Sequence, residues 1–186
     1  MEKRGLVFLC FLIVFSVSSH FRVQACDDRC KQEVIASSPF STALEILQKQ
    51  MNYTFDSIGL LRRAMTHASF SEENNRALSI LGTYVIETSV SLRYLTADID
   101  MPAKTLDTKV SDISNVENSC SGDGMRLGLH KVIRVSSKTN ASTPTVICGG
   151  FRAIFGAIAI DAGKSDFAGN IFWSVHSANG GVAAAL

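Results

Sequence analysis

Residues 144–163, PTVICGGFRAIFGAIAIDAG, decide how the rest of the chain is read. Ile147, Phe151, Ile154, Phe155, Ile158 and Ala159 recur at spacings of three and four, which lines up one apolar face of an α-helix. Pro144 closes whatever precedes. Gly163 suits the far end, where a left-handed residue lets the chain leave the helix. Gly156, Ala157 and Ala159 leave little side chain on the surface, so a neighbouring helix can approach closely. The stretch predicts a central core helix.

Working outward, the same period recurs. Ser41 or Thr42 can cap a helix through Gln50, with Leu44, Leu47 and Met51 on one face. Asp56 or Ser57 can cap another in which Ile58, Leu61 and Met65 face inward. A long helix over about 76–96 carries Leu78, Leu81, Val85, Leu92 and Leu95 as its inward stripe, widened by Ile80 and Tyr84. Residues 105–119 read as one helix with Leu106, Val110 and Ile113 inside. Gly122 and Gly124 then break it or leave a turn before a following short helix, and 125–135 is a helix end and an exposed segment. A last helix over about 165–176 is anchored by Phe167, Ile171 and Trp173. With only three prolines and few β-branched alternations, the expected class is all-α, and 186 residues suit one compact domain.

The N-terminus reads as a secretory signal peptide over residues 1–25. Lys3 and Arg4 precede an uncharged apolar run from Leu6 to Val17, and Val23-Gln24-Ala25 offers small side chains for cleavage. That run is shorter than the roughly 20 residues a membrane-spanning helix needs, so the mature chain is expected to have no transmembrane segment. The expected layout is a signal peptide (1–25), a lead-in (26–43) with a short helix near 32–36, a helical domain (44–176) and a flexible tail (177–186). The expected location is the secretory pathway, either the endoplasmic reticulum lumen or outside the cell.

Cleavage removes Glu2, Lys3, Arg4 and Arg22, leaving 15 basic and 16 acidic side chains and a formal charge of −1. Nucleic-acid affinity comes mainly from Lys and Arg against phosphates, so this balance argues against an RNA- or DNA-binding domain. Cys26, Cys30, Cys120 and Cys148 remain, an even count that suits disulfides behind a signal peptide. Three pairings are open, as is a set of buried free thiols. No CxxC zinc pattern occurs. Asn52-Tyr53-Thr54 and Asn140-Ala141-Ser142 are glycosylation sequons, the second inside the polar loop SSKTNASTPT.

Four stretches, in order, resemble the ribonuclease III endonuclease domain: LLRRAMTHAS (60–69), NRALSILGT (75–83), MRLGL (125–129) and CGGFRAIFGAIAIDAG (148–163). They are similar to the family's LLxxALTHxS, NERLEFLGD, LGL and ADAFEALIGAIYLDGG. The resemblance spans about Leu44 to His176. It implies an all-α, ribonuclease III-like helical domain whose long helix pairs with its copy in a dimer.

The family's chemistry needs four carboxylates that hold Mg²⁺, which activates water against a phosphodiester. The resemblance places Ser79 and Thr83 where the first glutamate and aspartate belong, and Gly149 and Arg152 where the second aspartate and glutamate belong. A guanidinium about 5 Å from Mg²⁺ at an effective dielectric of about 20 contributes roughly 7 kcal/mol of repulsion. The expectation is a pseudoenzyme with no catalytic residues, no metal and no cofactor. Mg²⁺ enters only if the chain is instead a double-stranded RNA endonuclease acting in RNA processing. A relocated metal site would draw on Glu87, one turn beyond Thr83, or Asp161. The simpler readings put Glu87 on a solvated flank and give Asp161 the role of helix ending. His67, at the family's Thr-His position, reads as a buried structural histidine, while His130 and His176 carry no partner motif.

The resemblance also implies a cysteine pairing. Cys148 starts the helix that carried the second carboxylate pair, and Cys120 follows the helix of Val110, which packs nearby. A Cys120–Cys148 bridge would close a loop of about 27 residues, worth about 3 kcal/mol, and Cys26–Cys30 would staple the lead-in. Ile80 keeps an apolar side chain where the family packs its dimer helix, or else serves the monomer core. A short, signal-bearing, single-domain member without the carboxylates resembles a plant branch of the family. That implies a role in karyogamy, the fusion of polar nuclei in the female gametophyte, through an unknown protein partner.

Overall fold

A computed structural model describes residues 38–177. The signal segment 1–25, the lead-in helix near 32–36, the Cys26–Cys30 pairing and the tail beyond Ser177 lie outside these residues. The helices are α1 (Pro39–Met51), α2 (Ile58–Ala64), α3 (Arg76–Ala97), α4 (Ala103–Ser114), α5 (Ser121–Arg126), α6 (Pro144–Asp161) and α7 (Ser165–Ser177). A π-helical turn, Val116–Cys120, precedes α5, and a 3₁₀ turn, Leu129–Lys131, follows it. No strand occurs among the described residues. Thr66 and Arg134 form an isolated bridge. The all-α expectation stands.

The described residues fall into two units that part between Thr42 and Ala43. In the first, α1 opens at Pro39, where a missing backbone N–H leaves no bond unmade. Ser38 Oγ accepts the Ser41 N–H at 3.1 Å. The cap is therefore Ser38, not the expected Ser41 or Thr42, because proline can start the helix earlier than an apolar stripe reveals.

In the second unit α6 is the core element. Ile147, Phe151, Ile154, Phe155 and Ile158 are all buried, as its period predicts. Each contributes about 1.5–3 kcal/mol of apolar burial. Phe155 meets Phe151 and, from α7, Phe172 edge-on, with ring centroids 5.0 and 5.5 Å apart. Phe167 is exposed rather than an anchor, and Trp173 and Ile171 are half-buried. Leu44, Leu47 and Met51 of α1 are buried; of the α2 stripe, Leu61 and Met65 are buried while Ile58 is 40% exposed.

The crossing of α3 and α6 is set by two glycines. A Cβ on Gly82 would run into the Arg152 carbonyl, and one on Gly156 into the Leu78 carbonyl. The expected close approach at Gly156 is thus found, and Gly82 is its counterpart. It also turns α3. Its buried residues are Leu78, Gly82, Val85, Ile86 and Val90, whereas Leu81 and Leu92, expected inside, lie on the exposed side. A stripe drawn through large apolar residues passes over a glycine that is itself the contact.

The stretch 105–119 is not one helix. Asn115 Oδ1 accepts the N–H groups of Glu117 and Asn118, both at 3.1 Å, and so caps a new turn. Leu106, Val110 and Ile113 are only half-buried. Gly122 and Gly124 do not break the chain; both lie inside α5, and a Cβ on Gly124 would strike Ile147 Cγ2. Residues 125–135 are not an exposed segment, since Leu127, Leu129 and Ile133 are buried.

Candidate functional site

The four positions matched by motif to the missing carboxylates lie on the two crossing helices, Ser79 and Thr83 on α3 and Gly149 and Arg152 on α6, with the Arg152 backbone against Gly82 beside Thr83. Ser79 and Thr83 sit one turn apart on α3, both half-buried. Thr83 Oγ1 donates to the Ser79 carbonyl at 2.9 Å, which turns the hydroxyl back on its own helix. On α6, Gly149 leaves open space: nothing stands within 4 Å of where its Cβ would be. One turn on, the half-buried Arg152 reaches away from α6. Its Nη2 donates to the Ser114 carbonyl at 2.7 Å. Ser114 ends α4, where carbonyls lack helical partners and the helix dipole favours a cation.

Glu87 completes this arrangement. Its Oε1 accepts from Ser114 Oγ at 3.2 Å. Burial pushes the Arg152 guanidinium below its ordinary pKa, and the charge of Glu87 opposes that shift. Glu87 is half-buried and occupied, so the solvated-flank reading is corrected. Ser79, Thr83 and Glu87 follow one another at intervals of four along α3, a spacing visible in the sequence. Ser114, the residue the sequence reading missed, carries no such signal; only the fold brings α4 to Arg152.

These residues do not fit Mg²⁺. A hard cation needs several oxygen ligands with negative charge, and beside the Arg152 guanidinium the one carboxylate seen here, Glu87, already accepts from Ser114 Oγ. Among the described residues, no group of three or more His, Cys, Asp or Glu is placed to hold a metal ion.

A disulfide joins Cys120 to Cys148, 28 positions apart, tying the π turn to α6 immediately before Gly149. Both cysteines are buried. This is the pairing expected for them.

Asp161 does end α6, and it also starts another helix. Its carboxylate accepts from Tyr53 Oη at 2.7 Å, the Ser57 N–H at 2.8 Å and the Asp56 N–H at 2.9 Å. Ser57 occupies the cap position of α2 but makes no side-chain capping bond, so the carboxylate from α6 supplies the negative end. Burial pushes the Asp161 carboxyl up, but the bonds from Tyr53, Ser57 and Asp56 outweigh it and hold its pKa below the ordinary value. Burial and the same carboxylate push the Tyr53 phenol well up.

His67 is half-buried rather than buried. Its Nδ1 accepts the Ser69 N–H at 3.1 Å, so this nitrogen is spent on a local turn. Burial, then Arg76, lowers its pKa and keeps the ring neutral at pH 7. His176 has a partner that the sequence did not show: its Nδ1 lies 2.7 Å from Oδ2 of the buried Asp123, whose other oxygen pairs with Arg126. His130 Nδ1 is buried with no hydrogen-bond partner.

Ile80 is 61% exposed, which excludes a place in the monomer core. With Tyr84 and Leu92, also exposed, it forms an apolar outer face on α3. Beside it lies a groove of about 980 Å³ between α3 and α7, lined by Leu81, Tyr84, Leu92, Arg93, Asn170 and Trp173.

Residues 57–173 match the family model described as Ribonuclease-III-like. Over 169 residues the chain is 57% identical to the protein NUCLEAR FUSION DEFECTIVE 2 of Arabidopsis thaliana, covering 91% of this chain and 88% of that one. Ribonuclease 3 of Thiobacillus denitrificans is 30% identical, over 63% of this chain and 53% of its own length. The chain thus spans about half the length of that bacterial relative. Among solved structures, the nuclease domain of ribonuclease III from Campylobacter jejuni aligns with a TM-score of 0.70 at 26% identity, over 75% of this chain and 99% of that one. That structure is described as showing flexibility in the region involved in dimer formation.

Proposed function

We propose that this chain, which belongs to the ribonuclease-III-like family, is a non-catalytic member that acts in the secretory pathway by binding a protein partner in the service of nuclear fusion. The observation that carries the non-catalytic reading is the Arg152 guanidinium. By the motif match it takes the position of a metal-binding carboxylate, and it donates to the Ser114 carbonyl, whose side-chain hydroxyl in turn donates to Glu87. The link to nuclear fusion, or karyogamy, rests on the name of the Arabidopsis relative. The secretory location rests on the signal-like segment and is supported by the Cys120–Cys148 bridge, since disulfides persist in oxidising compartments.

The partner surface we favour is the outer face of α3, and the first partner to test is a second copy of the chain. Exposed Ile80, Tyr84 and Leu92 support this, as does the dimer-forming region described for the Campylobacter structure.

The alternative is a double-stranded RNA endonuclease that uses Mg²⁺, favoured by the likeness to bacterial ribonuclease 3. One assay separates the two. Purified protein is incubated with long duplex RNA and Mg²⁺ or Mn²⁺. Intact RNA is the expected result. Cleavage abolished by Glu87→Ala or Asp161→Ala would replace the non-catalytic reading with the enzymatic one.

A further inference from the structure

We infer that Asn140 is a modification site that carries an N-linked oligosaccharide; this rests on the secretory reading above. The sequon chemistry needs an asparagine amide nitrogen free to take the sugar and a hydroxyl two residues on. The chain between the bridge at Arg134 and the start of α6 presents both. Asn140 and Ser142 are exposed. The Asn140 carboxamide uses its oxygen, not its nitrogen, in the loop: Oδ1 accepts the Ser142 N–H at 2.9 Å. The backbone is held independently, with the Thr143 Oγ1–H on the Asn140 carbonyl at 3.1 Å. Ser137 and Lys138 alongside are exposed too, so a sugar attached here displaces no packed side chain.

The geometry also supplies a clean control. Asn140→Gln removes the acceptor and the turn bond together. Ser142→Ala removes the sequon hydroxyl but keeps the Ser142 position's N–H and the Asn140 oxygen, so the loop is untouched. Asn52 is a separate arm: it is exposed but sits at φ 51°, directly after α1.

The test is to express the full chain, with its N-terminal segment, in a plant secretory host. Glycopeptide mass spectrometry then compares the wild type with Ser142→Ala, Asn140→Gln and Asn52→Gln under non-reducing conditions. The expected result is a glycan on the peptide containing Asn140. Ser142→Ala and Asn140→Gln each lose one glycan's mass, while Asn52→Gln keeps the Asn140 glycan. A bare Asn140 in a chain whose Cys120–Cys148 bridge is formed overturns the glycan site and leaves the secretory reading standing. A bare Asn140 together with free thiols and an unprocessed N-terminus overturns the secretory reading, and the glycan site with it.

Discussion

Arg152 on α6 donates to the Ser114 carbonyl at the end of α4, 2.7 Å away. A side chain at a position matched to a metal ligand has become a tie between two helices. The guanidinium supplies positive charge from within the chain at the C-terminus of α4, where the helix dipole favours a cation.

The substitution pattern is reversible in principle. A variant carrying Ser79→Glu, Thr83→Asp, Gly149→Asp and Arg152→Glu should gain a saturable Mn²⁺ site by calorimetry, while the wild type shows none. Gly149 has room for the new side chain. Without metal the variant gathers carboxylates around Glu87, so its melting temperature should fall and recover when Mn²⁺ is added. Mn²⁺ bound at this face in the wild type would contradict the assignment.

Gly82→Ala should be among the most damaging small substitutions in the protein, costing about 1–3 kcal/mol, because the added methyl meets the α6 backbone and no side chain can swing away. Gly149→Ala is the matched control. It sits on the same pair of helices with open space around it, and alanine's better helix propensity should raise stability by about 0.5–1 kcal/mol. Urea denaturation of both variants checks the pair; equal effects would mean the crossing is misplaced.

Asp161→Asn should lower stability by about 1–2 kcal/mol at pH 7, since the carboxylate's bonds to α2 are charge-assisted but partly exposed. The pH dependence has a definite sign. The folded-state pKa of Asp161 is depressed below 3.8, so its contribution is full above the unfolded value and is lost as pH falls through the folded one. The gap between wild type and Asp161→Asn should therefore be constant at neutral pH and close below about pH 4. Thermal melts from pH 7 to 2.5 measure it.

If α3 docks a second copy, Ile80→Lys should convert a dimer into a monomer by light scattering with no loss of thermal stability beyond that of dissociation. Ile80 is exposed, so the lysine disturbs no core packing. A wild-type mass of one protomer would remove the dimer from the proposal.

The helices around the core were legible because their apolar period reports burial directly. Ile147 to Ile158 on α6 and Leu44 to Met51 on α1 are the clear cases. The errors share a cause. Leu81 and Leu92 read as inward because they are apolar, yet α3 turns its glycine toward α6. Gly124 reads as a breaker or a turn by residue type alone, yet it lies inside α5 and makes room for Ile147. His176 showed no partner because Asp123 lies 53 positions away in sequence.

Periodicity and residue type are local properties, so the helical class and the residues Ser79, Thr83, Gly149 and Arg152 can be read along the chain. What those residues do depends on the folded arrangement. Folding brings Arg152 to the end of α4, Ser114 Oγ to Glu87, Asp161 to the start of α2, and two glycines to the crossing of α3 and α6. Such bonds and close approaches join residues far apart along the chain, so no window of sequence contains both partners.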